Sequence, residues 1–108
     1  MFEIYALMWK TNKCAEIYFN TETKELKAYL TDPSAGFPKA LFGISGQKKE
    51  VNDHDFRLFI KNRIVPKTRE NIADVLKDFG LKSYDEWEIW KRLEGKTSKD
   101  QCSIVKIE

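Results

Sequence analysis

The chain has 108 residues, 42% of them hydrophobic and 13% aromatic, which suffices for one hydrophobic core but not for two. This composition excludes an intrinsically disordered chain. Nineteen basic residues against seventeen acidic ones leave a net charge of +2, so no strong field for nucleic acid or membranes is expected. No apolar run approaches the roughly 20 residues that a membrane span needs, and residues 1–5 lack the basic start of a signal peptide.

The first thirty residues predict three short strands. Residues 2–9 form a nearly continuous apolar run, which is typical of a central strand that is covered on both faces. Residues 14–20 and 26–30 alternate between apolar and polar positions, as strands with one buried face do. Because short polar turns separate these segments, we expect an antiparallel meander over residues 1–30.

Residues 31–51 form a long connection that contains two of the three prolines and three of the five glycines. Its apolar residues Phe37, Leu41, Phe42 and Ile44 indicate that it packs against the body of the protein. Two local structures stay open, a short helical turn or a fourth, edge strand near residues 41–45. Because loops of this length in a compact domain are often functional, we regard this one as a candidate contact surface.

Two helices are predicted after this connection. Asn52 or Asp53 caps the first, which ends at Ile64-Val65-Pro66 because the residue before a proline avoids helical dihedral angles. Pro66 suits the first turn of the second helix, and Gly80 suits its C-terminal cap. The apolar positions at helical spacing are Phe56, Phe59, Ile60, Ile72, Val75, Leu76 and Phe79.

A third helix is predicted to begin at a capping box, Ser83-Tyr-Asp-Glu86, and to end at Gly95. Trp87, Trp90 and Leu93 share one face of this helix, so we expect them in the core. A closing strand over residues 101–107 is expected to join the N-terminal sheet. The chain is therefore expected to be one α+β domain, a small antiparallel sheet with three short helices (residues 52–95) on one face.

The residues offer no catalytic constellation. His54, the single histidine, lies at a predicted helix start without a cysteine or histidine at metal-ligand spacing, which favours a surface role. Cys14 and Cys102 would be neighbours if their predicted strands were adjacent, but buried, reduced thiols in a cytoplasmic protein are the favoured interpretation. No glycine-rich phosphate-binding motif is present. We therefore expect no enzymatic activity, no metal and no cofactor.

Two groups of side chains are candidates for binding a partner protein. Residues 57–69 include five basic residues and no acidic one, which suits phosphates or an acidic surface, although a solvated helix face with Arg57 and Lys61 one turn apart is favoured. An exposed tryptophan beside the long connection would anchor an interface, and Trp9 lies at a strand end. The candidate partner-binding residues are Trp9, Phe37, Leu41, Phe42, Arg57, Lys61, Arg63, Lys67 and Arg69.

The second half of the chain resembles a known family. The order is Phe56-x-x-Phe-Ile-x-x-Arg-Ile-x-Pro-x-x-Arg69, then Asp78-Phe-Gly-Leu81, Tyr84-x-x-Trp-Glu-Ile-Trp90 and Gly95-x-x-x-x-Asp100. It is similar to the N-terminal subdomain of HipA-type serine/threonine kinase toxins. It is more similar still to the short HipS-like proteins that are encoded beside kinases lacking that subdomain. The predicted meander matches the layout of the same subdomain.

The resemblance implies a non-catalytic antitoxin of a toxin–antitoxin system, which docks on a HipA-like kinase and restrains it. A HipB-like DNA-binding repressor commonly completes such complexes, and Pro66 and Arg69 would occupy the turn between two helices. Two alternatives stay open. One is a phage or mobile-element inhibitor of another host protein, and the other is a nucleic-acid-binding protein that uses residues 57–69. Direct nucleic-acid binding and membrane contact are not expected.

Overall fold

A computed structural model describes residues 1–64, 66–96 and 101–107 of the chain. Val65 in the predicted helix stop and Asp100 in the family pattern lie outside the described residues. One five-stranded antiparallel sheet has the order β4-β3-β2-β1-β5. Its strands are β1 (Phe2–Trp9), β2 (Asn12–Asn20), β3 (Leu26–Leu30), β4 (Glu50–Val51) and β5 (Cys102–Lys106). The predicted α+β class is confirmed, with the meander and the closing strand in one sheet.

The described residues form four helices and one 3-10 turn. The helices are α1 (Lys39–Phe42), α2 (Asp53–Lys61), α3 (Ile72–Asp78) and α4 (Glu86–Arg92), and the 3-10 turn is Pro33–Ala35. The helices α2 and α4 lie on one face of the sheet, where the ring of Trp87 contacts the rings of Tyr5 and Phe19 at centroid distances of 5.1 and 5.6 Å. This arrangement follows from the alternation of β2, which turns Ile17 and Phe19 towards the helices.

The other face of the sheet is open, which corrects the prediction that residues 2–9 are covered on both faces. Ile4 pairs with Tyr18 across β1 and β2, one position away from the buried Tyr5–Ile17 pair. Alternate residues of a strand point to opposite faces, so Ile4 and Tyr18 point away from the core. The apolar run of β1 therefore belongs to a central strand of a two-layer fold. One face of this strand packs against the helices, and no described helix covers the other face.

The long connection contains both a helical turn and an edge strand, the two structures between which the sequence could not decide. The strand, however, lies later in the chain than residues 41–45. Residues Lys39–Phe42 form the helical turn, which ends where the Gly43 N–H donates to Lys39 O at 2.9 Å. The edge strand is β4 (Glu50–Val51), so its prediction near residues 41–45 is wrong. The strand forms here because Val51 pairs with Ala28 of β3. At the end of β3, the Leu30 N–H donates to Lys49 O at 2.9 Å, just before β4 begins.

The helix α2 begins as predicted. Asn52 is its N-cap, and the Oδ1 atom of Asn52 accepts a hydrogen bond from the N–H of Asp55 at 2.9 Å. The second helix begins later than predicted, because Pro66 lies in a turn closed by the Arg69 N–H donating to Pro66 O at 3.2 Å. The expectation that Pro66 occupies the first turn of α3 is therefore wrong. Gly80 is confirmed at the C-terminal end of α3, with a φ of 74°.

The start of α4 also differs from the prediction. Asp85, not Ser83, is the N-cap, and its Oδ1 atom accepts hydrogen bonds from the N–H groups of Trp87 and Glu88 at 3.0 and 3.3 Å. The predicted capping box is wrong because α4 begins two residues later than expected, with Asp85 in extended backbone (φ −141°, ψ 111°) at the cap position. Trp87 and Trp90 are confirmed in the core.

Both edges of the sheet are protected against further strand pairing. The edge strand β4 has two residues, and the N–H of Ile104 in β5 donates to Glu94 O at 2.8 Å, so the turn after α4 covers this part of the β5 edge. The central strand β1 separates Cys14 on β2 from Cys102 on β5. The idea that these cysteines lie on adjacent strands is therefore wrong, and both are buried free thiols.

Candidate docking groove

A groove of about 290 Å³ lies where the end of β1, the residues before and within α1, and the C-terminal part of α2 meet. We call it the aromatic groove. Its lining residues are Trp9, Phe37, Pro38, Lys39, Ala40, Phe59 and Arg63. Three of the nine residues that the sequence suggested for partner binding, Trp9, Phe37 and Arg63, thus meet at one surface although they are distant in sequence.

Trp9 forms one wall of the aromatic groove. It is the last residue of β1, pairs with Cys102 of β5 and remains half-buried. Its indole lies against Gly36, where a Cβ atom would be only 2.6 Å from Trp9 Cδ1. Gly36 has a φ of 86°, which favours glycine independently of this contact. The glycine therefore allows the backbone of the connection to pack directly on the indole ring.

Phe37 also lines the aromatic groove. Its ring packs edge-on against Phe42, at a centroid distance of 6.3 Å and an interplanar angle of 78°. Phe42 is fully buried, whereas Phe37 is half-buried and lines the aromatic groove. The short helix α1 thus holds Phe37 in place by burying its neighbours, and leaves part of the Phe37 ring accessible.

The basic side of the aromatic groove consists of Arg63 and Lys39. The Arg63 guanidinium lies 5.1 Å from the centre of the Phe59 ring, and its Nη2 donates to Gly95 O at 3.3 Å. These contacts hold the Arg63 side chain against α2 and the turn after α4. Lys39 is exposed and makes no ion pair with any residue that the structure describes.

Two of the sequence candidates are buried. Leu41 and Phe42 are 3% and 0% exposed, because α1 turns both towards the core. Arg57 does not lie on a solvated helix face, which the sequence had favoured. It is part-buried, donates to Asp53 Oδ1 and Glu86 Oε1 at 3.0 Å each and to Lys24 O at 2.7 Å. Arg57 therefore has a structural role.

The remaining basic candidates lie apart from the aromatic groove. Lys61 and Lys67 line a shallow pocket with Tyr84 and Glu86, next to Pro66. Arg69 is exposed in the turn before α3. The five basic residues of the segment 57–69 thus divide between several environments, although Arg57 is connected to the pocket of Lys61 and Lys67 through its ion pair with Glu86.

Two features of the surface were not among the sequence candidates. Phe59 was expected only as an apolar position at helical spacing, but its ring also lines the aromatic groove beneath Arg63. The aromatic side chains on the open face of the sheet, Phe2, Tyr18 and Tyr29, were not considered. Their signal was available, because Tyr18 and Tyr29 occupy the outward positions of alternating strands, where polar residues are usual.

The structure shows the surroundings of Cys14 and His54, two titratable side chains that the sequence singled out. Burial raises the pKa of the Cys14 thiol to about 11, so this thiol is protonated at neutral pH and a poor nucleophile. His54 is exposed at the second position of α2. Among residues 1–64, 66–96 and 101–107, no three His, Cys, Asp or Glu side chains are arranged to hold a metal ion.

No described helix is both long and apolar enough to cross a membrane. Comparison with known proteins found no family model, no curated protein and no solved structure that matches this chain.

Proposed function

We propose that this protein is a non-catalytic protein-binding module that docks on a HipA-like serine/threonine kinase and restrains it as an antitoxin. The observation that carries the proposal is the convergence of Trp9, Phe37 and Arg63 in the aromatic groove. These residues come from β1, the long connection and the end of α2, so the fold has brought separate segments together at one accessible site.

The chemistry of the aromatic groove suits a protein partner. Tryptophan and arginine are among the residue types that dominate the energy of protein interfaces, and they act best at the centre of a patch that excludes water. The volume of about 290 Å³ is at the small end for ligand pockets, so it fits one or two side chains of a partner better than a cofactor.

The kinase is proposed on the resemblance of residues 56–100 to HipA N-terminal subdomains and HipS-like proteins. In this proposal the module packs on the N-terminal lobe of a kinase that lacks its own N-terminal subdomain. A HipB-like repressor would complete the complex, and the assembly would act in the cytoplasm. The restraint would be steric or conformational, because the module contributes binding surface and no phosphotransfer residue.

Co-expression with a HipA-like kinase that lacks its own N-terminal subdomain tests this function. We expect wild-type protein to relieve kinase toxicity and the double variant Trp9→Ala/Phe37→Ala to relieve it much less, because two aromatic side chains that line the aromatic groove are removed. Leu58→Ala is the matched control, since Leu58 is an exposed apolar residue that does not line the groove. Undiminished toxicity in the presence of the wild-type protein would reject the antitoxin function.

A charge-reversal variant separates loss of binding from loss of folding. Lys39 is exposed and makes no described ion pair, so Lys39→Glu should leave the fold intact while changing the charge beside Trp9 and Phe37. We expect this variant to show the wild-type unfolding curve and reduced relief of toxicity.

A further inference from the structure

The open face of the sheet carries an apolar surface that no described helix covers. Its residues include Phe2, Ile4, Tyr18, Tyr29, Val105 and Ile107. Phe2, Val105 and Ile107 are 56%, 55% and 47% exposed. The outward face of an antiparallel sheet is usually polar, and clustered exposed apolar side chains mark interaction sites.

A groove of about 430 Å³ crosses this face over β1, β2 and β3. We call it the sheet groove, and its lining residues are Phe2, Glu16, Tyr18, Glu25, Lys27 and Tyr29. The Tyr18 ring packs edge-on against both aromatic neighbours, at centroid distances of 6.4 Å to Phe2 and 5.5 Å to Tyr29. Three aromatic rings therefore follow one another along the groove, each nearly perpendicular to the next, at interplanar angles of 80° and 83°.

Two of the three charged side chains in the sheet groove form ion pairs with described residues, and the third does not. Glu16 forms an ion pair with Lys13 and accepts a hydrogen bond from the Tyr18 hydroxyl at 3.1 Å. Lys27 lies 3.9 Å from Glu50 on β4 and is partly neutralised there. Glu25 is exposed at the start of β3, and its carboxylate makes no ion pair with a described residue. The carboxylate that remains available to a partner is that of Glu25.

We propose that the sheet groove binds a basic side chain, arginine foremost, from an apolar segment of a partner protein. A guanidinium is attracted to the faces of aromatic rings and stacks on them, and the Glu25 carboxylate complements its charge. Apolar residues flanking the arginine would cover Phe2 and Val105. The sheet groove lies over β1, β2 and β3, away from the β5 edge, so the segment lies across the face rather than adding a strand. This site is separate from the aromatic groove and does not depend on the proposed function.

Three peptides test the inference on the intact protein. They are acetyl-Val-Arg-Val-amide, the same peptide with citrulline, which keeps the shape but removes the charge, and the same peptide with glutamate. We expect the arginine peptide to bind about tenfold more tightly than the citrulline peptide. Its NMR shift changes should map to the amides around Tyr18 and Tyr29, and the glutamate peptide should bind worst.

Two variants complete the experiment. Glu25→Gln should reduce the affinity for the arginine peptide about threefold, and more than the affinity for the citrulline peptide, because the aromatic rings still attract the guanidinium. Tyr29→Leu should weaken binding of the arginine peptide because it removes one of these rings. The control is Glu70→Gln, which removes one exposed carboxylate outside the sheet groove. Equal affinity for the arginine and citrulline peptides, or shift changes away from Tyr18 and Tyr29, would overturn the inference. A dimer in sedimentation that Val105→Asp abolishes would also overturn it, because the face would then bind a second copy of the chain.

Discussion

Arg57 and Glu86 join helices α2 and α4 through a 3.0 Å ion pair between residues that are 29 positions apart in the chain. The same guanidinium donates to Asp53 one turn earlier in α2 and to Lys24 O in the turn between β2 and β3. Arg57 therefore links two helices and the sheet with one side chain. Only an arginine presents enough donors in one plane for three such acceptors.

Replacing Arg57 by alanine is predicted to destabilise the protein by about 2 kcal/mol, because part-buried carboxylates lose a charged hydrogen-bond partner. The measurement is the free energy of unfolding from urea titration. Lys61→Ala is the control, since Lys61 is exposed one turn further along α2, and a change within about 0.5 kcal/mol is expected there. Equal effects of the two variants would contradict the structural role of Arg57.

Gly36→Ala is predicted to disturb the aromatic groove. Its φ is 86° and its new Cβ would lie 2.6 Å from Trp9 Cδ1, so the indole must move. Gly80→Ala provides the control, because Gly80 has a similar φ of 74° but no atom within 4 Å of the added Cβ. The control should cost about 1 kcal/mol from backbone strain alone, and Gly36→Ala should cost more.

Tryptophan fluorescence distinguishes these glycine variants further. Gly36→Ala should change the emission of the native state through the displaced Trp9, whereas Gly80→Ala should not. An unchanged native spectrum for Gly36→Ala would show that the indole does not rest on Gly36.

Asp85→Ala is predicted to destabilise the protein by about 1 kcal/mol, because the first turn of α4 loses the acceptor for two of its N–H groups. Ser83→Ala should leave the free energy of unfolding nearly unchanged, since Ser83 lies before the N-cap. Thermal unfolding of the two variants compares them directly. A larger loss for Ser83→Ala would restore the capping box that the sequence suggested.

The buried thiol of Cys14 predicts a stability change in alkaline solution. Burial raises its pKa from 9.0 to about 11 in the folded protein, so between these values the unfolded chain releases a proton that the folded chain keeps. The stabilisation is complete below pH 9 and is lost as the pH rises towards 11. The difference in free energy of unfolding between wild type and Cys14→Ala should therefore shrink from pH 8 to pH 10.5. A constant difference would contradict the prediction.

The strands were predictable where the sequence alternates. Ala15, Ile17 and Phe19 on β2 recur at every second position, and this periodicity identifies the buried face without knowledge of the partner strands. The C-terminal cap Gly80 was equally predictable, because a positive φ at that position favours glycine. Trp87 and Trp90 follow from helical spacing.

The rest depends on contacts between distant residues. The position of β4 depends on the pairing of Val51 with Ala28, which no local pattern encodes. Leu41 looked like a loop contact but is buried, because α1 packs it inwards. The aromatic groove needs the meeting of Trp9 and Arg63, whose proximity is a property of the tertiary fold. The sequence thus indicated which residues are candidates for binding, and the fold determines which of these candidates share a surface.

The most direct test of the central claim is affinity capture from the native host. Tagged wild-type protein and the Trp9→Ala/Phe37→Ala variant are compared, with Leu58→Ala as control and mass spectrometry to quantify bound proteins. We predict that wild type and control retain a HipA-like kinase without its own N-terminal subdomain, and that the groove variant loses it. Equal retention of that kinase by all three proteins, or its absence from the wild-type sample, would contradict the account.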